Sequence, residues 1–488
     1  MVGLDTTPKT HVLFFDMLEF ETLHHVRRDV VEARKHPQNP ILPLGNVNEW
    51  DCVKAAPWEG RTVVYDEQDN LFKAWYSGIA LDLEPEYSLG YATSPDGVTW
   101  DKPSLGLIEF NESTDNNLCY RGWGAVVKDH ADPDPKRRYK MLAKGPQRPY
   151  TKQGIRLVTS PDGIHWGPET RFEIPEWGPK APDIIGFWRD DQDPDPDRRF
   201  KYVWQTKEIC NKPYPESSRV KHMAFSPDAL HWTAYQDNPF FHPRDSPEQE
   251  NHFLMIIPYC GWWLALYEFG WYLPDVDSYV TGFRGDVRLA ASRDGVHYTR
   301  IEPFQKVIPR GGVGQWDADS IIIADKAAIR GDTIHLYYAG NSEDSNGWYR
   351  RPLMRPSRMG LATIERDRFT CLRTCDRESF GHAITIPIAV REAEGAGLVV
   401  NVDGCHAGRS WLEVDVLDAA SGDPVAGYDR PDAVPIVRDG LDVHVAWRGA
   451  ETLAGVKCES IQLRFRLYGA VQLYSFRFER TDVSSSNM

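Results

Sequence analysis

Short runs of apolar residues recur along most of the chain, separated by turns rich in proline, aspartate and glycine. From Trp58 onward these runs come in pairs, in which a polar turn joins a first strand to a second. The predicted first strands are Arg61–Tyr65, Gly124–Val127, Ile184–Trp188, Phe253–Pro258 and Ser320–Ala324. The predicted second strands are Leu71–Tyr76, Arg138–Ala143, Phe200–Gln205, Trp262–Tyr267 and Thr333–Ala339. Apolar runs of this length between turn residues are typical of antiparallel β-sheet.

The turn Ser-Pro-Asp-Gly-x-x-Trp recurs at a fixed interval and gives the chain its period. Its copies begin at Ser94, Ser160, Ser226 and Ser292, 66 residues apart each time, and Gly360–Thr363 repeats the strand of the first copy. Proline presets φ, aspartate accepts hydrogen bonds from the turn's own amides, and glycine takes positive φ without a steric clash. Because a catalytic aspartate is needed only once, the repetition indicates a structural hairpin. Four antiparallel strands in each of five repeats predict a five-bladed β-propeller.

Two acidic turns between first and second strands are near copies of each other. They begin at Asp132 and Asp193, and both read Asp-Pro-Asp-Pro. Carboxylates this close together could bind a cation. Their duplication at the same place in two repeats, together with strong turn chemistry, favours hairpin loops instead.

The pattern changes after Phe369. From residue 381 the repeat is lost, and short strands such as Leu398–Val402 and Ile461–Leu467 alternate apolar and polar residues. This alternation is typical of an antiparallel sandwich with one solvated face. The sequence therefore predicts an all-β chain of two domains. Residues 1–380 would form a five-bladed propeller that includes the N-terminal segment, and residues 381–488 a β-sandwich.

The composition argues against several classes of protein. The 488 residues carry a net charge of −15 and no basic run, which disfavours binding to nucleic acid or to an anionic membrane surface. No apolar stretch is long enough to span a membrane, and the N-terminus lacks the pattern of a secretory signal. Eight cysteines are scattered without metal-ligand spacing, so we expect reduced thiols, a cytoplasmic location and no metal cofactor. A structural cation in the channel and the oligomeric state stay open.

Candidate catalytic residues follow from the predicted architecture. The first strands of propeller blades line the central channel and all run the same way, so residues at their starts converge on one mouth. This rule selects mostly acids, and the predicted catalytic residues are Glu59, Asp183, Glu250 and Asp319. Glu250 is expected to be the acid, because the apolar residues 253–255 would raise its pKa. Asp183 or Glu59 would be the base, and Asp319 the charge that adjusts the others. The structural alternative is that each acid caps the turn before a strand.

A second set of residues is predicted to bind the substrate, namely Asp51, Trp58, His252, Trp271, Trp316, Asp317 and Arg351. Sugars stack on flat aromatic faces, and Trp271 is placed in a loop before Pro274, where a ligand can reach it. Arg351 belongs to an arginine cluster of the fifth repeat that would hold an anionic group if its loop covers the mouth. The structural alternatives are packing between blades for the tryptophans and a solvated loop for the arginines.

The whole pattern resembles the five-bladed propeller glycoside hydrolases of families 32, 43, 68 and 130, and is most similar to uncharacterised bacterial proteins labelled as family-32-like. The resemblance covers nearly the whole chain, through Leu13–Asp16, Asn39–Leu42, Trp58-Glu59, the repeated turns and Leu473–Phe476. It implies a propeller that acts on carbohydrates, followed by a sandwich. The Trp-x-Asn-Asp-Pro-Asn-Gly, Arg-Asp-Pro and Glu-Cys signatures of family 32 are absent at the matching places, so no catalytic role is carried over by motif.

Acids at one channel mouth predict hydrolysis of a glycosidic bond in an oligosaccharide or glycoside by a carboxylate acid and base. Two alternatives stay open. One is a glycoside phosphorylase of similar fold, whose turnover would depend on phosphate. The other is a carbohydrate-binding propeller without catalysis. The pattern does not specify the sugar.

Overall fold

The computed structural model describes residues 11–58, 61–80, 88–145, 154–174, 183–209, 217–243, 246–273, 283–342, 357–376, 379–393 and 395–480. Nearly all regular structure in these residues is β-strand. The exceptions are a helix of four residues, Val390–Ala393, and short 3-10 turns at Pro135–Arg137, Pro196–Arg198 and Leu453–Gly455. The predicted all-β class is confirmed. Among the described residues, no helix has the length and apolarity needed to cross a membrane.

The strands are numbered in chain order. The first part of the chain contains His11–Leu13 (β1), Phe20–His24 (β2), Val26–Val30 (β3), Arg34–Lys35 (β4), Lys54–Ala56 (β5), Thr62–Asp66 (β6), Leu71–Ile79 (β7), Ser88–Ser94 (β8), Leu118–Arg121 (β9), Trp123–Lys128 (β10), Tyr139–Lys144 (β11), Ile155–Ser160 (β12), Glu169–Phe172 (β13), Gly186–Arg189 (β14), Phe200–Ile209 (β15), Ser217–Ser226 (β16) and Thr233–Ala234 (β17). The second part contains Leu254–Tyr259 (β18), Trp262–Tyr272 (β19), Phe283–Ser292 (β20), Thr299–Ile301 (β21), Ser320–Ile323 (β22), Ala328–Arg330 (β23), Thr333–Asn341 (β24), Ser357–Glu365 (β25), Thr370–Thr374 (β26), Phe380–Thr385 (β27), Ile388–Ala389 (β28), Ala396–Asp403 (β29), Trp411–Asp418 (β30), Gly440–His444 (β31), Ser460–Tyr468 (β32) and Gln472–Arg480 (β33).

The contacts divide the chain into two compact bodies. The repeat body is Glu32–Ile364, and the two-sheet body combines the described residues up to Val31 with those from Glu365 onward. This division differs from the predicted one between residues 380 and 381, because β1, β2 and β3 pair with β33, β27 and β26 respectively.

The repeat body consists of five antiparallel meanders of successive strands. Meander I contains β5–β9, meander II β10–β13, meander III β14–β17, meander IV β18–β21, and meander V β22–β25 with β4. In meanders I and V the first strand is split, since β5 and β6 both pair with β7, and β22 and β23 both pair with β24. The ten predicted strands match observed strands, with ends that differ by up to five residues.

Successive meanders lie side by side. Strand β10 packs against β14, and β14 packs against β18. Meander V touches meander IV through a parallel pairing of Gly285 with Ser320, and it touches meander I through a parallel pairing of Ser357 with Lys54. The last meander is therefore a neighbour of the first.

A strand from near the N-terminus completes meander V. Lys35 and Arg34 in β4 pair antiparallel with Ala362 and Thr363 in β25. The chain beyond this strand continues along the same edge, where Ile41 N–H donates to the Met359 carbonyl. The sequence did not indicate this strand, which has two residues and no apolar pattern.

The recurring turns have the predicted hairpin structure. In the first copy, Asp96 Oδ1 accepts hydrogen bonds from the backbone N–H groups of Val98 (2.8 Å) and Thr99 (2.7 Å). These bonds outweigh the effect of burial and lower the pKa of Asp96 to about 2. The aspartates of the other three copies accept the same backbone bonds, and their pKa values are also about 2. Every copy is thus a self-contained structural turn.

The acidic turns between first and second strands each enclose a buried lysine. The lysines and their carboxylates are Lys73 with Asp66 and Asp69, Lys140 with Asp129 and Asp132, and Lys201 with Asp190 and Asp193. Lys140 Nζ, for example, lies 2.8 Å from Asp129 Oδ2 and 2.6 Å from Asp132 Oδ2. The ammonium group neutralises the carboxylates around it. The turns that contain Asp132 and Asp193 join antiparallel strands, as the sequence predicts for hairpin loops.

The two-sheet body is built from two antiparallel sheets. One contains β1, β3, β26, β29, β31 and β33, and the other contains β2, β27, β28, β30 and β32. Apolar residues at alternate positions, among them Leu398, Val400, Val414 and Phe465, form one hydrophobic cluster. The period-two pattern read from the sequence therefore corresponds to buried positions in these strands.

Candidate active site

Polar and charged groups converge at the start of β18, where meander IV meets meander III. Residues 250–252 lead into this strand, and Glu250 is bridged to Gly270 of β19. The neighbouring strands β16 and β19 contribute Arg219, Lys221 and Glu268. A cluster of this kind needs cross-strand partners, because buried charges are stable only when they are paired or hydrogen-bonded.

Glu250 is fully buried and is held as an ionised carboxylate. Its Oε1 accepts hydrogen bonds from the backbone N–H groups of Arg219 (2.7 Å) and Asn251 (3.1 Å), and Oε2 lies 2.9 Å from Arg219 Nη1. Burial would raise the pKa of Glu250, but the Arg219 charge and these donors outweigh it, so the pKa is lowered. The prediction of a raised pKa is wrong here, because Arg219 approaches from another strand.

Glu268, in β19, is the carboxyl group with the raised pKa. Burial, together with the nearby charge of Glu250, raises the pKa of Glu268 to about 8. Its Oε2 accepts a hydrogen bond from the His252 backbone N–H (2.6 Å) and lies 2.6 Å from His252 Nδ1. Burial lowers the pKa of His252 well below its usual value. A protonated carboxyl and a neutral imidazole therefore lie side by side at neutral pH.

His252 is the more accessible member of this pair. Its side chain is 15% exposed, whereas that of Glu268 is 1% exposed. Since Nδ1 faces Glu268, the ring nitrogen left to meet another molecule is Nε2. Phe253 stacks beside the ring at a centroid distance of 5.7 Å, and Phe283 meets it edge-on at 4.7 Å. These contacts fix the orientation of the imidazole.

Asp183 joins the same cluster from the start of β14. Its side chain is 55% exposed, and Oδ2 accepts a hydrogen bond from Gln205 Nε2 at 3.2 Å. Gln205 Oε1 in turn accepts from Lys221 Nζ at 3.2 Å, and Lys221 also donates to the Asn251 carbonyl. Asp183 is therefore linked through Gln205 and Lys221 to the carbonyl of Asn251, the residue between Glu250 and His252.

Asp319 lies at the border of meanders IV and V. Its Oδ1 is 3.4 Å from Arg284 Nη2, and its carbonyl accepts a hydrogen bond from Gly285 N–H at 3.1 Å. Gly285 also faces Glu268, because a Cβ at this glycine would come within 2.9 Å of Glu268 Oε1. Gly285 therefore lies between Asp319 and Glu268 and contacts both.

Trp58 reaches the cluster from meander I. Its ring meets Phe253 at a centroid distance of 6.4 Å, and Lys54 Nζ lies 3.6 Å above the Trp58 ring. Phe253 belongs to meander IV, so these aromatic groups bring together meanders that are not sequence neighbours. The placement agrees with the predicted convergence of strand starts.

Asp51 and Asp317 lie outside the cluster, and their hydrogen-bond partners are of the same kind. Each accepts from a tyrosine hydroxyl and pairs with a lysine, the sets being Asp51 with Tyr76 and Lys102, and Asp317 with Tyr338 and Lys35. Both lysine nitrogens lie 2.6 Å from their carboxylate. Trp316 stacks on Tyr338 at a centroid distance of 5.7 Å. These contacts account for the three residues as elements of packing.

Trp271 lies within β19 and not in a loop, which corrects its predicted position. The strand continues because Trp271 pairs with Arg284 and Tyr272 pairs with Phe283. The Trp271 ring is partly buried against Phe269, at a centroid distance of 6.2 Å. The strand was predicted to end at Tyr267, but β20 supplies partners up to Tyr272.

Glu59 and Arg351 lie outside the described residues. Glu268 and Lys221, which are central to the cluster, were missed by the sequence search. The strand-start rule selects only residues that precede first strands. Glu268 lies within β19, a second strand, and Lys221 lies within β16, a third strand. A lone charge inside an apolar strand was the available signal, as for Glu268 between Tyr267 and Phe269.

No protein-family model and no curated protein sequence matches this chain. Similar solved structures include one described under glycoside hydrolase family 130, mannoside phosphorylases that contain hydrolases of β-1,2-mannosidic linkages in Candida mannan. It is 17% identical, with 69% of this chain and 94% of that chain covered and a TM-score of 0.44. A fructofuranosidase from Schwanniomyces occidentalis complexed with fructose is 11% identical, with coverages of 89% and 100% and a TM-score of 0.39.

An N-acetylgalactosamine deacetylase from F. plautii, in complex with blood group B trisaccharide, is 14% identical, with coverages of 71% and 97% and a TM-score of 0.41. Several other similar structures are named glycoside hydrolases or glycosidases. The similar structures thus include the enzyme classes that the sequence resembles.

Proposed function

We propose that the five meanders form the blades of a five-bladed propeller, closed by β4 in the last blade, and that the two-sheet body is a β-sandwich. The neighbour relations of the meanders, with V beside both IV and I, support the ring. In this arrangement the start of β18 and the start of β14 open at the same end of the channel.

We further propose that the chain is a carbohydrate-active enzyme that hydrolyses a glycosidic bond at this cluster. The observation that carries the proposal is the opposed protonation of two neighbouring carboxyl groups. Burial raises the pKa of Glu268 to about 8, while the pKa of Glu250 is lowered. Carboxyl groups whose pKa values are driven apart in one site are the usual pairing for acid and base chemistry.

In the proposed reaction, His252 Nε2 hands its proton to the departing glycosidic oxygen as the bond to the anomeric carbon breaks. Glu268 replaces that proton at Nδ1 and becomes a carboxylate. Asp183, the exposed carboxylate of the cluster, takes a proton from the water that attacks the anomeric carbon. Glu250 stays ionised and keeps the pKa of Glu268 raised. The acid role expected for Glu250 is thereby assigned to Glu268 acting through His252.

The test is turnover of aryl glycosides of fructose, arabinose, xylose, mannose and galactose by matched variants. Glu268→Gln cannot supply a proton, so kcat should fall by about two to four orders of magnitude. Asp183→Asn should cause a comparable loss. Asp191→Asn is the control, since Asp191 follows the same strand β14 and is 57% exposed, against 55% for Asp183.

The pH dependence gives a second readout. Glu268 must be protonated to act as the acid, so kcat should fall as pH rises through about 8. Glu268→Gln should remove this alkaline limb. A Glu268→Gln variant that keeps wild-type turnover and the same alkaline limb would show that Glu268 is not the proton source.

A further inference from the structure

Lys221 is a buried ammonium group without a carboxylate partner among the described residues. It is fully buried, and its hydrogen bonds within the described chain go to two neutral oxygens, the Asn251 carbonyl and Gln205 Oε1. By contrast, the buried lysines of the acidic turns, Lys73, Lys140 and Lys201, each pair with two carboxylates. An ammonium makes three donor bonds, so one donor of Lys221 is left. Burial accordingly lowers the pKa of Lys221 to about 7.

The side chain of Asn251 lies at the same place. Asn251 is 1% exposed, and neither Nδ2 nor Oδ1 makes a hydrogen bond to any residue in the described ranges. A buried amide without partners costs several kcal/mol, which is why such groups are rare unless a ligand or water satisfies them. Its backbone carbonyl accepts from Lys221, so the two groups adjoin.

Glu268 is the third buried polar residue at this place. Its Oε1 is buried without a hydrogen-bond partner in the described chain. Gly285 leaves room beside this atom, since any Cβ there would lie within 2.9 Å of Oε1. In its protonated form Glu268 donates from Oε2 to His252 Nδ1, so Oε1 is left to accept a hydrogen bond. The Lys221 ammonium and the Asn251 amide therefore offer N–H groups around residues 251 and 252, and Glu268 Oε1 offers an acceptor.

The charges around His252 favour a negative ligand. Arg219, Lys221 and the exposed Lys207 act on its imidazole as positive charges, and Glu250 acts as the negative one. Glu268 is neutral at pH 7 because of its raised pKa. Asp183, which acts on Lys221, is a second negative charge of the cluster, so these positive charges exceed the negative ones by three to two within a chain whose net charge is −15. Donors that are charged and already in position make the strongest hydrogen bonds to oxyanions.

We propose that Lys221, Asn251 and Glu268 form a subsite for an oxyanion. It would be the carboxylate of an acidic sugar in the substrate, or else inorganic phosphate bound beside a neutral sugar. Lys221 Nζ and Asn251 Nδ2 donate to the anion, and Asn251 Oδ1 accepts from an adjacent hydroxyl. This deepens the proposed function, because it names the chemistry of the molecule that the site accepts.

The experiment measures binding by calorimetry for matched probes: galacturonate with galactose, glucuronate with glucose, and inorganic phosphate alone. Wild-type protein should bind at least one anionic probe and bind its neutral counterpart more weakly. Lys221→Met should weaken that binding roughly 10- to 100-fold, the loss of one hydrogen bond to a charged group. Lys306→Met is the control, because Lys306 is 44% exposed and lies beside Asp286, away from the cluster.

Asn251→Asp is the second variant. It introduces a negative charge that repels the anion while every lysine is kept, so it should also weaken anion binding. Circular dichroism and thermal unfolding establish that each variant is folded. Galacturonate or glucuronate binding that Lys221→Met removes identifies an acidic sugar, whereas phosphate binding with the same loss identifies phosphate. Equal binding of neutral and acidic probes, no binding of any anion, or unchanged binding in Lys221→Met overturns the proposal.

The oxyanion subsite and the proposed hydrolysis can be rejected independently of each other. Turnover of neutral aryl glycosides without phosphate, by a protein that binds none of the anionic probes, would reject the oxyanion subsite and leave hydrolysis standing. Anion binding that depends on Lys221, without turnover of any glycoside in the presence or absence of phosphate, would reject hydrolysis and leave the subsite standing.

Discussion

Glycine at the fourth position of the recurring turn has two different reasons to be there. Gly97 and Gly295 both have positive φ, +78° and +77°. A Cβ at Gly97 would lie 2.5 Å from the Tyr337 hydroxyl oxygen, whereas at Gly295 the nearest atom is 3.2 Å away, in the Trp263 ring. Both glycines therefore have the left-handed backbone conformation, but only at Gly97 would a side chain clash severely with a neighbouring residue.

Gly97→Ala should destabilise the protein more than Gly295→Ala. Both variants meet the cost of a left-handed backbone, about 1–2 kcal/mol. Gly97→Ala must also displace Tyr337, whose hydroxyl donates to the Gly97 carbonyl at 2.9 Å, so we expect about 1 kcal/mol more. Urea unfolding of the two variants measures the difference. The third copy already has alanine here, Ala229 at φ +66°, so backbone strain alone is tolerated. Equal losses would contradict the packing argument.

At the residue scale, the sequence located part of the site. The strand-start rule selected Asp183, Glu250 and His252, because position along a repeat can be read from spacing. It did not find Glu268 or Lys221, whose roles depend on which strands lie beside them. It also assigned the wrong sign to the pKa shift of Glu250, because the local sequence contains its apolar neighbours but not Arg219.

At the scale of the element, a buried lysine neutralises the carboxylates of each of these acidic turns. In meander II, Lys140 is 1% exposed, and it links Asp129 at the end of β10 to Asp132 in the turn. Arg189 of meander III also reaches Asp129, at 3.0 Å. The turn and the border between two meanders thus share one charge network.

Lys140→Met should destabilise the protein by about 3 kcal/mol, because it leaves buried carboxylates without their cation. Lys136→Met, at an exposed position in the same turn, should change stability by less than about 0.5 kcal/mol. Thermal unfolding in the presence and absence of a chelator completes the test, and the chelator should leave the midpoint of the wild type unchanged. A chelator-dependent midpoint would mean that these turns need a metal ion.

The strands themselves were the most predictable elements. All ten predicted first and second strands correspond to observed ones, because apolar runs bounded by turn residues define them locally. The end of β19 was misplaced, since pairing with β20 carries the strand to Tyr272. Strand β4 was not predicted at all, because its only reason to be extended is the edge of β25 that it covers.

At the scale of the whole molecule, the repeat body contains every strand that its five meanders need. The fragment Glu32–Ile364 should therefore fold by itself, with a β-type circular dichroism spectrum and a cooperative thermal transition. A fragment that begins at residue 43 lacks β4 and the chain up to Leu42, so the edge of β25 is exposed. Its midpoint should be lower by at least about 5 °C, and it should aggregate more readily. Equal midpoints would show that β4 does not stabilise meander V.

The pairing of β4 with β25 sets the order of events during synthesis of the chain. The Thr363 hydroxyl donates to the carbonyl of Arg34, 329 residues earlier. At roughly 5–20 residues per second, the N-terminal strand leaves the ribosome roughly 15–65 s before its partner is made. The strands β1, β2 and β3 have an even longer wait for β33, β27 and β26. Strands β1 to β4 are therefore the last to find their partners, and nascent chains should depend on chaperones that protect these extended segments until β25 to β33 have been made.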